Sequence, residues 1–176
     1  MLVDKIDEKN QIKKIEDSCV NYKKVYCSKY EKFKLLGNWL FKESNIFKNE
    51  TYVNNENKPN FKRGEIIKVD FGINVGSELS NVHFAIVLNS DDNNSVDNIT
   101  VLPLTSKRGY KRIYLGKILL PLSKKKLYNL KTYALITQIT TISKKKIFYD
   151  INRCCCSSEI MDIIDRNIID FLTKQK

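Results

Sequence analysis

The chain holds one histidine, His83, and the residues around it could move protons beside an anion. Gly76-Ser77-Glu78 lies just before it, and Thr105-Ser106-Lys107-Arg108 follows after one further strand. An unperturbed imidazole titrates near pH ~6.5, so it takes up and releases protons close to neutrality. Hydroxyls such as that of Thr105 donate to phosphate oxygens, and lysine and arginine neutralise them. Ser77 with His83 raises serine hydrolysis as a possibility, but no G-x-S-x-G elbow presents the serine.

A charge count points to the substrate side. Met1–Ser106 carries 15 Lys/Arg and 15 Asp/Glu, whereas Lys107–Arg153 carries 13 Lys/Arg and one acid, Asp150. The net charge of +11 therefore belongs to one segment. A basic block so depleted of acids predicts a polyanion partner, nucleic acid first. No run reaches the ~20 apolar residues that span a bilayer. The opening MLVDKIDEKN has no apolar h-region. The expectation is a cytoplasmic protein with no membrane partner. The five cysteines include the consecutive Cys154, Cys155 and Cys156, and Cys19 and Cys27 stand too far apart on a helix to bridge, so reduced thiols are expected. No spaced Cys/His pairs propose a metal site, and no cofactor is expected.

These residues need elements to hold them. Ile66, Ile67, Val69 and Phe71 predict a first strand; Phe84–Leu88 predict a second, covered on both faces. Ile99–Leu104 predict a third, with Pro103 favouring an edge or a bulge. Ile113–Leu122, Ala134–Ile142 and Ile147–Tyr149 read as further strands, with Lys144–Lys146 as a solvated turn. Ser157 or Ser158 can cap a last helix that buries Ile160, Ile163, Ile164, Ile168, Phe171 and Leu172. Before the strands, an apolar stripe at three- and four-residue steps predicts one long helix over Asp7–Leu36. Gly37-Asn38 would end it, and a shorter helix would cover Trp39–Phe47. The polar NETYVNNENKPN reads as a linker. The division is a helical extension over 1–48, a linker over 49–60 and a β-domain over 61–176. Several short strands closed by helices predict an α+β fold: a compact antiparallel β-barrel with a C-terminal helix across it, preceded by the extension.

Three blocks of the β-domain resemble the PemK/MazF family of toxin endoribonucleases. Arg63-Gly64-Glu65-Ile66 is similar to the family's opening RGDI strand, Gly76-Ser77-Glu78 to its GSE loop, and Val101–Ser106 to its third strand, which ends in threonine. Ala134–Ile139 is similar to a late strand ending in Gln-Ile. The resemblance implies an SH3-like barrel, usually a homodimer, that cleaves single-stranded RNA without a metal and is held by a cognate antitoxin protein. Two departures stand out. His83-Phe84 occupies the place of the family's Arg-Pro, whose arginine is treated as catalytic, and Gln138-Ile139-Thr140 that of its Gln-Ile-Arg.

Metal-free RNA cleavage needs a base for the ribose 2′-hydroxyl, a donor for the leaving 5′-oxygen and donors for the charge on phosphorus. The candidate catalytic residues are His83, at the place of the family's arginine, Thr105, at the end of the third strand, and Glu78, of the GSE loop. The second proton-transfer group stays open among Glu78, Lys107, Tyr110 and a group from another protomer. Ser77, Ser106, Lys107, Arg108, Tyr110, Lys111 and Arg112 are the expected RNA contacts, with Tyr110 placed to stack a base among cations. Competing readings are a non-catalytic binding module of the same fold and a CcdB-like toxin aimed at a topoisomerase.

Overall fold

The computed structural model describes residues 8–26, 31–50, 59–90, 92, 95–123, 126–149 and 153–174. The chain divides into two compact units, Met1–Tyr52 and Val53–Lys176. In the first, α1 spans Glu8–Tyr26, a 3-10 turn spans Glu31–Leu35, and α2 spans Leu36–Glu50. The single helix expected over Asp7–Leu36 is therefore several elements, and Gly37-Asn38 does not end one. Gly37 lies in the first turn of α2 with a Cβ-sized space open beside it and no left-handed angle. At that end a helix has unpaired N–H groups to spare, so glycine's usual penalty is small. Cys27, Tyr30 and most of the expected linker fall outside the described residues.

The second unit is an eight-stranded antiparallel sheet: β1 Glu65–Asp70, β2 Val82–Val87, β3 Asn98–Thr105, β4 Arg112–Ser123, β5 Lys126–Leu135, β6 Thr140–Ser143, β7 Ile147–Phe148 and β8 Cys154–Cys155. The final helix, α3, spans Ser158–Thr173. Strand β1 pairs β2 along one side and both β7 and β8 along the other. Strand β3 pairs β2 along one side and both β6 and β5 along the other. So β6 and β7 lie at opposite ends of the path β6-β3-β2-β1-β7, yet only Lys144–Lys146 connects them. Four flat strand spacings measure ~19 Å, whereas four extended residue steps reach at most ~14 Å. The sheet must curl, and it does: Ile142 of β6 and Ile147 of β7 pack in one core with Val69, Val87 and Val101.

Alternation along β1–β3 fills two cores. Ile67, Ala85 and Val101 face the barrel interior, while Ile66, Ile86 and Leu102 face the opposite way, against Ile164 of α3. Strands buried on both faces read as continuous apolar runs, which is why Phe84–Leu88 has no polar alternation. The opening RGEI block fastens helix to sheet. Gly64 sits at φ +83 against Met161 of α3. Arg63 donates to the Leu88 carbonyl and pairs with Asp165 of α3. Glu65, nearly buried, accepts from the Lys62 amide at 2.8 Å and pairs with Arg153 at 3.3 Å.

Pro103, expected at an edge or a bulge, pairs with Ala85 on one side and sits at a local edge on the other. Its missing N–H costs little, because the β6 pairing ends at Val101 and the β5 pairing begins at Leu104, so no strand pairs Pro103 on its second side. Three further expectations change. The one or two short strands expected over Ile113–Leu122 are a single longer one, Arg112–Ser123, with its register shifting around Gly116, at φ +84. The strand expected over Ala134–Ile142 is broken by a 3-10 turn, Ile136–Gln138, as the chain crosses from β5 to β6. The predicted last strand keeps only Ile147–Phe148, and β8 follows it.

The lysine run is the largest difference. Lys144 is 3% exposed, and its ammonium stands 2.7 Å from the carboxylate of Asp92, itself 1% exposed. Asp92 also accepts from the Phe61 amide at 2.8 Å, and the Lys144 carbonyl accepts from the Tyr149 hydroxyl at 2.7 Å. The turn closes the barrel end, so its first lysine points inward and must be paired there. Removing one partner leaves a charge stranded in a dry site. Lys144→Met is expected to cost about 3–5 kcal/mol in urea unfolding, with most of it recovered in Asp92→Leu/Lys144→Met. Equal losses in the single and double variants would contradict the pairing.

Candidate functional site

The partner switch in β3 also opens the cleft. Strands β2 and β3 pair only over Ala85–Val87 and Val101–Pro103. Beyond Pro103, Leu104 and Thr105 turn to Ala134 and Tyr133 of β5. The first half of β2 and the end of β3 therefore separate. Between them lies a cavity of about 270 Å³, walled by Val82–Phe84, Leu104–Lys107, Leu120 of β4 and Leu130–Thr132 of β5. Its lining is mostly apolar, with the hydroxyl residues Thr105, Ser106 and Thr132 and the cations Lys107 and Lys131 among it.

His83 lies at this wall, half-buried, opposite Val69 in register. Its Nδ1 lies 3.2 Å from the Leu104 carbonyl, and its ring meets the edge of Phe71 at 6.4 Å between centroids. A carbonyl only accepts, so the neutral imidazole carries its proton on Nδ1. That leaves Nε2 with a lone pair and makes it the basic nitrogen. Thr105 Oγ1 accepts from the Lys107 amide at 3.2 Å, which uses a lone pair and keeps its own proton for donation. Lys107 completes the rim beside Ser106.

The structure thus brings together His83, Thr105, Ser106 and Lys107. It leaves Ser77 and Glu78 elsewhere: both are exposed on the β1–β2 loop and neither lines the cavity. That loop is tied to itself. Phe71 and Gly72 exchange backbone bonds with Asn81 at 3.1 and 2.6 Å, and the Asn74 amide spans to the Phe71 and Leu79 carbonyls. Gln138, from the late Gln-Ile block, accepts from the Leu79 amide at 3.2 Å and anchors the loop to the barrel.

The basic loop between β3 and β4 is folded on itself too. Arg112 donates to the Lys107 carbonyl at 2.9 Å and lies across Gly109, where a Cβ would meet its guanidinium carbon at 2.9 Å. Lys111 takes the left-handed angle, φ 50, and its ammonium lies 5.5 Å from the Tyr110 ring centre and 5.6 Å from that of Phe171. Two cation–π contacts hold a backbone angle that lysine seldom adopts. Arg108 and Tyr110 are exposed, Tyr110 by 83%. Arg112 shapes this loop, Lys111 joins it to α3, and Arg108 and Tyr110 are exposed on it without lining the cavity. Sequence reasoning missed Lys131 and Thr132, which β5 brings to the cleft; Thr132 is buried and donates to the Leu130 carbonyl at 2.8 Å. Their only local signal was a cation in a strand, and the β3–β5 register was needed to place it.

The shifted ionisations lie away from the cleft. Burial pushes the Cys156 thiol up to about 12, and its neighbours Cys154 and Cys155 add to the effect. Burial also raises Cys154 and Tyr149, the latter against the pull of Arg153. A hydrogen bond from Ser157 holds the Glu159 carboxyl below its usual range. Among the described residues Cys19, Cys154, Cys155 and Cys156 are free thiols.

A curled antiparallel barrel under one helix, with an imidazole and a basic loop at a cleft on its rim, defines a small α+β protein built to face an anion. The family model of PemK-like, MazF-like toxins of type II toxin–antitoxin systems matches residues 62–172, and the chain belongs to that family. No curated protein matches the chain. Among solved structures it is similar to an endoribonuclease from a Mycobacterial species in complex with its cognate antitoxin, at 14% identity over 68% of this chain and 99% of that one, with a TM-score of 0.46. It is similar also to MazF from Deinococcus radiodurans, at 15% identity over 66% of this chain and 100% of that one, with a TM-score of 0.48.

The thiols offer a check on this packing. Cys156 holds its proton longer in the folded chain than in the unfolded one, so its share of stability is whole below pH 9 and is lost as pH rises from 9.0 towards 12. Above pH 9 the stability of the native chain is expected to fall more steeply than that of Cys156→Ala. At pH 8, iodoacetamide should label exposed Cys155 before Cys156, read by peptide mass. Equal labelling rates would contradict the assigned burial.

Proposed function

We propose that this toxin is an endoribonuclease that cuts single-stranded RNA at the His83 cleft, using the neighbouring 2′-hydroxyl as nucleophile and no metal ion. The observation that carries the reading is the bond between His83 Nδ1 and the Leu104 carbonyl, which puts the lone pair of the neutral ring on Nε2 of a residue that lines the cavity. In the step, Nε2 takes the 2′-hydroxyl proton, the 2′-oxygen bonds to phosphorus, and the bond from phosphorus to the 5′-oxygen breaks. The leaving oxygen takes a proton from the Lys107 ammonium. Thr105 donates its hydroxyl to a phosphate oxygen as charge builds there. The products are a 2′,3′-cyclic phosphate and a 5′-hydroxyl.

Lys107 is preferred as the acid because it shares the cavity wall with His83, whereas Glu78 and Tyr110 do not line it. Histidine in place of the family's arginine supplies a base, where a guanidinium serves mainly as a clamp. Arg108 and exposed Tyr110 extend the contact to adjacent nucleotides, and Lys131 faces the strand from β5. Membership of the family supports a cognate antitoxin as the protein partner. Homodimerisation of the barrel, residence in the cytoplasm, and the division into extension 1–48, linker 49–60 and toxin domain 61–176 belong to the same proposal. Among the described residues no helix is long and apolar enough to cross a membrane.

The test is incubation of the purified full chain with a panel of RNAs in EDTA. Cleavage to cyclic-phosphate ends is expected, reduced by about 10²–10⁴-fold in His83→Ala. Lys107→Ala should lower the rate while leaving RNA binding measurable. Intact RNA, or cleavage unaltered in His83→Ala, would overturn the reading. Salt-sensitive binding without cleavage would make the chain a nucleic-acid-binding module instead.

A further inference from the structure

The N-terminal unit leaves several large apolar side chains exposed. Leu36 and Trp39 are its buried hydrophobic residues among those described, whereas Ile12, Ile15, Tyr22, Phe41 and Phe47 are between 43% and 73% exposed. Along α1, every residue from Lys9 to Lys24 is exposed. A 19-residue helix whose side chains from Lys9 to Lys24 are all exposed is marginal in water, since helical stability in proteins comes mostly from packing an apolar face. Something must cover this one, and the sequence of α1 indicates what.

Ile12, Ile15, Cys19 and Tyr22 recur at steps of three and four, the seam of a two-stranded coiled coil. Glu16 follows Ile15 and Lys23 follows Tyr22, so they occupy the same flanking position in successive heptads. In an antiparallel pair, like flanking positions face each other. Glu16 then meets Lys23 of the second helix, and symmetry repeats the contact. A parallel pair would set Gln11 against Glu16 and Ser18 against Lys23, with no opposite charges. The helix carries three acids and five lysines of mixed order, unlike the nearly acid-free basic segment, so its surface complements a copy of itself better than a polyanion.

We propose that α1 is a self-association element, pairing antiparallel with α1 of a second copy of this chain through the Ile12–Ile15–Cys19–Tyr22 seam. It lies outside the residues that match the toxin family and does not depend on the RNA reading. It would join two chains independently of any contact made by the barrel.

The chain carries its own probe. Antiparallel packing of the seam on itself sets Ile12 against Tyr22 and Ile15 against Cys19 of the second helix and centres the pair at Asp17, so the two Cys19 thiols lie within one helical turn of the symmetry axis. Treating the full chain with a short bis-maleimide should give a Cys19–Cys19 linkage, located by peptide mass and absent in Cys19→Ser. Ile15→Glu/Tyr22→Glu should lower its yield at least tenfold, with the barrel's unfolding midpoint unchanged. Lys23→Glu should lower the yield, and Glu16→Lys/Lys23→Glu, which keeps the composition, should restore it. Absence of the linkage, its survival in Ile15→Glu/Tyr22→Glu, or failure of the charge exchange to restore it would overturn the proposal.

Discussion

The molecule depends on one strand serving two neighbours in turn. Along one side β3 pairs with β6 as far as Val101 and with β5 from Leu104, and the two residues between have no partner there. This change of partner lets a proline sit in the middle of a sheet. It also separates the end of β3 from the start of β2, and that separation is the cleft. His83 and the Leu104 carbonyl bridge the gap, so the imidazole's tautomer is set by the same backbone that creates the cavity. Fold and chemistry share a cause here: where β3 leaves β2, the Leu104 carbonyl accepts from the histidine.

The opposite end of the barrel solves a different problem. Joining β6 to β7 through three residues forces closure and leaves little room for a long solvated loop. Lys144 is turned inward by that geometry and is neutralised by Asp92 from the β2–β3 connection. The pair ties Asp92 of that connection to the turn between β6 and β7. The RGEI block fixes the third boundary, holding α3 across the outer core through Arg63 and Gly64. The cleft therefore opens on a body restrained at several points, which suits a site that must keep its groups in place before an anion arrives.

Much of this was legible in the residues. The three first strands announce themselves by apolar content, and their double burial by the absence of alternation in Phe84–Leu88. His83, Thr105 and Lys107 were visible as chemistry-bearing types, and the register of β3 against β5 explains why they meet. The missed features share a physical origin. Lys144 looks like any solvated lysine, because its burial comes from a closure that only the strand order reveals. Arg112 looks like a phosphate ligand, because its bond to the Lys107 carbonyl depends on how the loop folds back. Gly37 looks like a helix stop, because glycine is tolerated in a first turn as well as after a last one. Lys131 and Thr132 carry no local mark, since they reach the cleft through a non-local pairing.

The central claim is that His83 Nε2 is an unprotonated base at the cleft in the neutral protein. Because the chain has a single histidine, its two ring nitrogens can be read without ambiguity by long-range ¹H–¹⁵N NMR on labelled protein. In the neutral imidazole, Nδ1 should show the protonated shift and Nε2 the lone-pair shift. Adding a single-stranded DNA oligonucleotide, which lacks the 2′-hydroxyl and cannot react, should move the Nε2 signal while Nδ1 stays bonded to the Leu104 carbonyl. A proton resident on Nε2 in the neutral form, or an Nε2 signal indifferent to the bound strand, would contradict the account.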